Sequence, residues 1–418
     1  MAGNYDVCAY IVQEICTISN LVLTSSSVLN LAPVNGFYAM NDFQRILTTL
    51  EKRNEPCVLA TVVHTEGSTY RRAGARLLVF ADNTSVGAIS GGCLESDVVE
   101  RSQRVLQTGT PAMVVYDGSS DDPIFGLGMG CNGITTVFLE HLTGADDPFC
   151  AFLRHCFRER ERGAIATVYE IEGTKPHETV LEGHHFFLYT NDEASDNFGE
   201  SAFASRLRDA VWTHAVQALR AERTHKHLKF DDAEAQAHIL IESLQPQREL
   251  VIAGAGYDAL PLVEYAALLG WRTTVLDHRP ALLSTERFPK ASTLTRITRE
   301  NIAETAQHLA FSAQTALVIM THNLAFDAAF LREAFASKAR YIGLLGPKQR
   351  LEKIFALLQE QGFTPTDDDR ARLHNPIGLD IGTETAEEVA LSIIAEIQAV
   401  MSKRSGGFLK KRKQQKIH

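Results

Sequence analysis

The run SVGAISGGCLESD, Ser85 to Asp97, sets a cysteine behind two glycines, Gly91 and Gly92, where a β-prone stretch gives way to a helical one. A thiol in the first turn of a helix meets backbone N–H groups that have no partner within the helix, together with the positive end of its dipole. Both favour thiolate over thiol. A thiolate at Cys93 has the chemistry to ligate a soft metal, carry a persulfide or attack a carbonyl; the bland alternative is a packing cysteine beside a plain turn. A second thiol has a similar setting. FGLGMGCNG surrounds Cys131 with Gly126, Gly128, Gly130 and Gly133, and such loops expose N–H groups in concave, anion-binding shapes. A third turn, EGSTYRRAGAR, gathers Glu66, Ser68, Arg71, Arg72 and Arg76, a set suited to phosphate or carboxylate. No H-E-x-x-H helix and no Ser-His-Asp order competes with these turns, so no residue is assigned a catalytic role.

A different chemistry is written further along. VIAGAGYDALP carries Gly254, Gly256 and Ala259 as G-x-G-x-x-A between a strand and a helix, the pattern that admits a pyrophosphate to a helix N-terminus. Asp277 closes the next strand, where an acid grips a ribose hydroxyl, while Arg279 suits a 2′-phosphate, so NAD and NADP both stand as readings. A Rossmann-type loop that has kept its shape without a ligand is the bland reading. IMTHN puts His322 at another strand end, as an acid, a base, a ligand near a bound cofactor, or merely a cap of the following helix. LLGPKQR repeats the geometry, with Pro347 at the first helical position and Lys348 and Arg350 as neutralisers of an anion or as solvated cations.

The elements that must position these groups fall into blocks. The first 39 residues hold no Lys or Arg, and helical periodicity begins at Met40, with Phe43, Ile46, Leu47 and Leu50 behind a cap at Asn41. The expectation is that the native chain starts at Met40 and that 1–39 is a start-site artefact or a disordered extension. Residues 40–248 form a strand-rich α+β domain: CVLATVV, ARLLVF, TSVGAIS, AMVVYD and ITTVFLEHL read as strands around one helix, LESDVVERSQRVL. Within it 143–248 adds strands AIATVYEI and HHFFLYT and a long helix, and reads as completing that domain and linking to the next. Residues 249–402 alternate strand and helix, which predicts a Rossmann-like, doubly wound parallel sheet. The basic stretch 403–418 reads as a solvated tail. A net charge of -10 gives no reason to expect nucleic acid, no apolar run is long enough to span a membrane, and seven cysteines without C-x-x-C point to reduced thiols in a cytoplasmic setting.

At these residues the chain resembles the XdhC/CoxI family, the xanthine dehydrogenase accessory factors that mature molybdenum hydroxylases. The carriers are EGSTYRRAGARLLV, GAISGGCLESD, GLGMGCNG, LVIAGAGYDALPL, VLDHRP, MTHNLAFD, YIGLLGPKQR and PIGLDIGTETAEEVALSIIAEI, in that order from Met40 to about Met401. The resemblance implies a chaperone that binds the molybdenum cofactor (molybdopterin), supports its sulfuration with a cysteine desulfurase and inserts it into the large chain of a hydroxylase such as xanthine dehydrogenase. In that reading Cys93 and Cys131 hold the molybdenum or its exchanged sulfur. Arg71 and the loops of Gly91, Gly92, Gly128 and Gly130 hold the pterin phosphate, and Gly254, Gly256, Asp277 and His322 hold a nucleotide or part of the cofactor. Tyr70, Ser90, Asn132 and Pro347 depart from the family pattern, each beside a candidate site. The rival expectation is an NAD(P)-dependent oxidoreductase with His322 supplying the proton, which leaves the cysteine loops without a role. A homodimer fits either reading.

Overall fold

The structure, a computed structural model, describes residues 42–118, 133–173, 180–221, 225–232, 235–309 and 311–411. Two compact units emerge, one built chiefly from the chain up to Glu249 and the other from Leu250 onward.

The first unit is one module written twice. Its first copy runs α1 (Asp42–Arg53), β1 (Cys57–Gly67), β2 (Arg76–Phe80), β3 (Ser85–Gly87), α2 (Glu95–Thr108), β4 (Ala112–Asp117) and β5 (Gly133–Leu142). The second repeats the order as α3 (Pro148–Glu159), β6 (Gly163–Gly173), β7 (His185–Tyr189), β8 (Ala194–Asp196), α4 (Ala202–Ala221), β9 (His225–Asp231) and β10 (Ala235–Leu244). The sheets have the same strand order, β3-β2-β1-β5-β4 and β8-β7-β6-β10-β9. Even the irregularity recurs: pairing slips between Val62↔Val137 and His64↔Thr136, and again between Val168↔Ile239 and Glu170↔His238. A bulge therefore leaves Val63 in one copy and Tyr169 in the other as the extra residue. The stretch 143–248, expected from its pattern to complete a single domain, contains this second copy.

Period-two alternation sorts the side chains of each sheet into two faces. Val58, Ala60 and Val62 pack with Val98 and Val105 of α2, while Ala164, Ala166 and Val168 pack with Leu207 and Val211 of α4. The opposite faces meet: Cys57, Leu59 and Leu142 share a core with Ile165, Phe187 and Leu244, joined by Leu47 of α1 and Leu153 of α3. A smaller cluster of Val63, Phe138, Tyr169 and Leu240 brings the two bulges together. The result is helix, sheet, sheet, helix.

Two buried polar pairs cross this inner layer in a reciprocal pattern. Arg76 and His185 each open the second strand of their copy, opposite Thr61 and Thr167. Arg76 Nη1 donates to Glu242 Oε1 at 3.0 Å and its Nη2 bonds the other carboxylate oxygen. His185 Nε2 lies 2.8 Å from Glu140 Oε2. Each copy thus supplies the cationic partner for the other copy's carboxylate. Phe43 covers the Arg76 guanidinium at 4.1 Å, and Phe149, from the matching helix, sits 5.7 Å from the His185 ring.

In the second unit β11 (Glu249–Ala253), α5 (Ala259–Leu268), β12 (Arg272–Asp277), β13 (Thr293–Arg296), α6 (Ile302–Leu309), β14 (Thr315–Ile319), α7 (Leu324–Phe335), β15 (Tyr341–Leu344), α8 (Lys348–Glu360), α9 (Asp367–Ala371), β16 (Leu373–His374) and α10 (Ala386–Met401) alternate along the chain. The sheet order is β13-β12-β11-β14-β15-β16, the arrangement of a doubly wound Rossmann-like fold whose switch point lies between β11 and β14. The expected α+β unit followed by a parallel-sheet unit is the fold observed.

Candidate functional site

Cys93 is exposed, on the turn that leads into α2. The turn is held by its own side chains. The N–H groups of Gly92, Cys93 and Leu94 each donate to Ser90 Oγ at 3.1 Å, and Ser90 Oγ in turn donates to Glu95. Glu95 Oε1 also accepts from the N–H groups of Ile89 (3.2 Å) and Ser90 (2.9 Å). Burial works against the Glu95 charge, but these donors outweigh it and hold the carboxyl below its ordinary range. The sequence pattern predicts a thiol among unpartnered N–H groups; in the structure Ser90 has taken them.

A cavity of about 200 Å³ opens beside the turn, lined by Thr69, Tyr70, Arg71, Ser90, Gly91 and Cys93, with Tyr116, Gly133 and Thr135 behind them. The fold brings three sequence signals to one place: the arginine turn after β1, the glycine–cysteine turn after β3, and the start of β5. Gly133 is required there, because a Cβ would stand 2.6 Å from the carbonyl oxygens of both Glu66 and Ser68. The Tyr70 ring lies against Gly91, where a Cβ would meet it at 3.4 Å. Tyr116 donates to Asp97 Oδ2 at 2.5 Å; burial and that carboxylate hold its phenol well above its ordinary value, so it stays a neutral donor. The sequence signals the Ser90–Glu95 hub only through a serine just before a helix with a glutamate in its first turn, a cap-like pattern, and no motif marks Tyr116.

The three arginines of the turn separate. Arg71 lines the cavity and bonds Asp42 Oδ2 at 2.5 Å. Arg72 is exposed, with no carboxylate partner among the described residues. Arg76 is buried against Glu242 and belongs to the inner layer. Cys131, with Gly128 and Gly130, lies outside the described residues.

In the Rossmann-like unit the glycines differ in their reasons. Gly254 has φ +125° and a Cβ there would come within 2.3 Å of Met320 O, so close packing onto the end of β14 demands it. A Cβ on Gly256 would meet only His322 Nε2, at 4.0 Å, leaving its backbone open to approach. His322 is exposed, has φ +58° and faces that glycine; the cap of α7 is Asn323, whose Oδ1 accepts from Ala325 N at 3.0 Å. Asp277 is buried and committed. Its Oδ2 accepts from Ala255 N at 2.6 Å and from Arg279 at 2.9 Å, and its Oδ1 from Arg279 N at 2.8 Å. It ties the glycine loop to the end of β12. Arg350 is similarly engaged with Asp327, at 2.6 Å, whereas Lys348 is exposed. Pro347 stands at the N-cap of α8, one position before the first helical residue.

Among the described residues no helix is long and apolar enough to cross a membrane. Comparison with known proteins gives the rest. The model of the XdhC and CoxI family matches residues 50–117, and that of the XdhC Rossmann domain matches 250–397. The chain is 32% identical to a Bacillus subtilis protein described as a probable xanthine dehydrogenase subunit, over 86% of this chain and 97% of that protein. It is 20% identical to the molybdenum cofactor insertion chaperone PaoD of Escherichia coli, over 82% and 83% of the two chains. A solved structure described as a xanthine dehydrogenase from Bacillus halodurans superposes with a TM-score of 0.66 at 29% identity, covering 87% of this chain and 97% of that one. With a thiol turn in its duplicated unit, a glycine loop in its Rossmann-like unit and these relatives across nearly its whole described length, the chain belongs to the XdhC and CoxI family.

Proposed function

We propose that this chain is a maturation factor for a molybdenum hydroxylase such as xanthine dehydrogenase, carrying the molybdenum cofactor as cargo with Cys93 as a thiol ligand. The observation that carries the reading is an exposed cysteine on a pre-braced turn, sharing a cavity with Arg71. A soft thiolate donor suits molybdenum and its exchangeable sulfur, and exposure lets an incoming ligand displace it at handover. Arg71 supplies a planar donor fork for a pterin phosphate, which would compete with Asp42 for it, and Arg72, exposed and with no carboxylate partner among the described residues, adds a positive charge next in sequence. In this reading Cys131 is the second thiol, a cysteine desulfurase supplies the sulfur, the recipient is the large chain of the hydroxylase, and the setting is the reducing cytoplasm.

The test is molybdenum and pterin content per chain after anaerobic purification from cofactor-producing cells, for the parent and for Cys93→Ala, Cys131→Ala and Arg71→Met. Near-stoichiometric cofactor that is lost in Cys93→Ala and weakened in Arg71→Met is the expected result. Unchanged loading in Cys93→Ala, with full activation of the partner hydroxylase, would overturn the assignment.

A further inference from the structure

The second copy of the duplicated module carries a donor set of its own, at the end of β6 beyond the bulge. Because pairing slips at Tyr169, Glu170 stands directly across from His238 on β10, and Glu172 follows two residues along β6 on the same face. One donor atom from each of Glu170, Glu172 and His238 lies within 4.8 Å of the others. Glu170 and His238 are half-buried and Glu172 is exposed. Lys229, the cross-strand neighbour of His238 on β9, sits 3.8 Å from Asp231. Among the described residues neither Glu170 nor Glu172 has an ion-pair partner.

We propose that Glu170, Glu172 and His238 form a binding site for a first-row divalent cation, with zinc the best match. Two carboxylate oxygens and one imidazole nitrogen make a three-donor set of the kind zinc accepts, leaving a position for water. Magnesium prefers an all-oxygen octahedron and is the poorer match. A divalent charge also neutralises the two neighbouring carboxylates. The first copy explains why the site is particular to the second. The same register positions there hold His64, Glu66 and Thr136, and His64 Nε2 is already bonded to Glu66 at 3.0 Å. The site uses neither Cys93 nor the cargo cavity, so it stands apart from the reading of the thiol turn.

The experiment is calorimetric titration of the full chain with zinc alone, in a Cys93→Ala/Cys131→Ala background that removes the two candidate ligand thiols as competitors. One saturable equivalent is expected. Glu170→Gln/Glu172→Gln and His238→Ala, made in that background and verified as folded by circular dichroism, should each weaken it by roughly tenfold or more, since even the loss of an outer-shell partner has an effect of that order. Cobalt supplies a second readout: visible absorption without a sulfur charge-transfer band in the background protein, altered in His238→Ala. No saturable equivalent in the background protein, or equal affinity in the carboxamide and alanine variants, would overturn the proposal.

Discussion

Replacing Arg76 with methionine tests the architecture directly, because Arg76 and Glu242 are 166 positions apart in sequence and meet only if the two copies pack as described. The substitution keeps much of the apolar stem under Phe43 but leaves the Glu242 carboxylate buried without its fork, and it frees the Gly74 carbonyl that Arg76 Nη1 holds at 2.8 Å. Breaking one side of a buried pair costs about 3–5 kcal/mol. For a unit of about 200 residues each kcal/mol corresponds to roughly 2–4 °C, so the melting temperature of the duplicated unit should fall by roughly 6–20 °C. Arg76→Met/Glu242→Leu removes both charges and should recover most of that loss, since an apolar replacement of a buried pair is often neutral or stabilising. Differential scanning calorimetry of parent, both single variants and the double variant closes the cycle. A single variant costing less than about 1 kcal/mol, with a double variant that is merely additive, would refute a buried pair at this position.

The Cys93 turn offers a local test: Ser90→Ala removes the acceptor shared by three N–H groups, and hydrogen exchange of residues 92–94 should speed up with about 1–2 kcal/mol lost from α2. At the other buried pair, burial pulls the His185 pKa down but Glu140 outweighs it and holds it above the ordinary imidazole value. With the folded value raised, the contribution is present in full below about pH 6.5 and is lost as pH rises through the folded pKa, so the stability advantage of the parent over His185→Gln should shrink from pH 6 to 9 in urea denaturation. In the Rossmann-like unit Gly254→Ala should destabilise strongly through the Met320 carbonyl, whereas Gly256→Ala should leave the melting temperature close to that of the parent. Equal effects of the two alanines in a thermal melt would contradict the distinction drawn between them.

What was legible in the sequence was what is local. G-x-G-x-x-A after a strand and before a helix, and alternating strands and helices from Glu249, are short-range patterns, and the Rossmann-like unit follows from them. The duplication was written in Ala60-Thr61-Val62 with Glu66-Gly67 and again in Ala166-Thr167-Val168 with Glu172-Gly173, at identical spacing. It is easily passed over because the second copy keeps the strands but lacks the glycine–cysteine turn that draws attention to the first. Arg76 shows the other limit. Its neighbours in sequence make it one of a cluster of basic residues on a turn, while its actual partner is a carboxylate from the far end of the unit. Position within a motif did not distinguish a cation that faces solvent from one that is buried, since that is decided by which sheet comes to lie over it.

The reciprocal pairing of Arg76 with Glu242 and of His185 with Glu140 also sets an order of events during synthesis. The first copy, with its cysteine turn, is translated about a hundred residues before its buried arginine has a counter-charge, and domains generally fold as units as they emerge. Until Glu242 leaves the ribosome the inner face of that copy carries an unpaired guanidinium, and Glu140 has gained its histidine only at residue 185. The inner layer of the first copy is therefore closed only once the second copy has arrived, so a nascent or truncated chain carries the locally braced Cys93 turn on a sheet whose buried arginine still lacks its counter-charge.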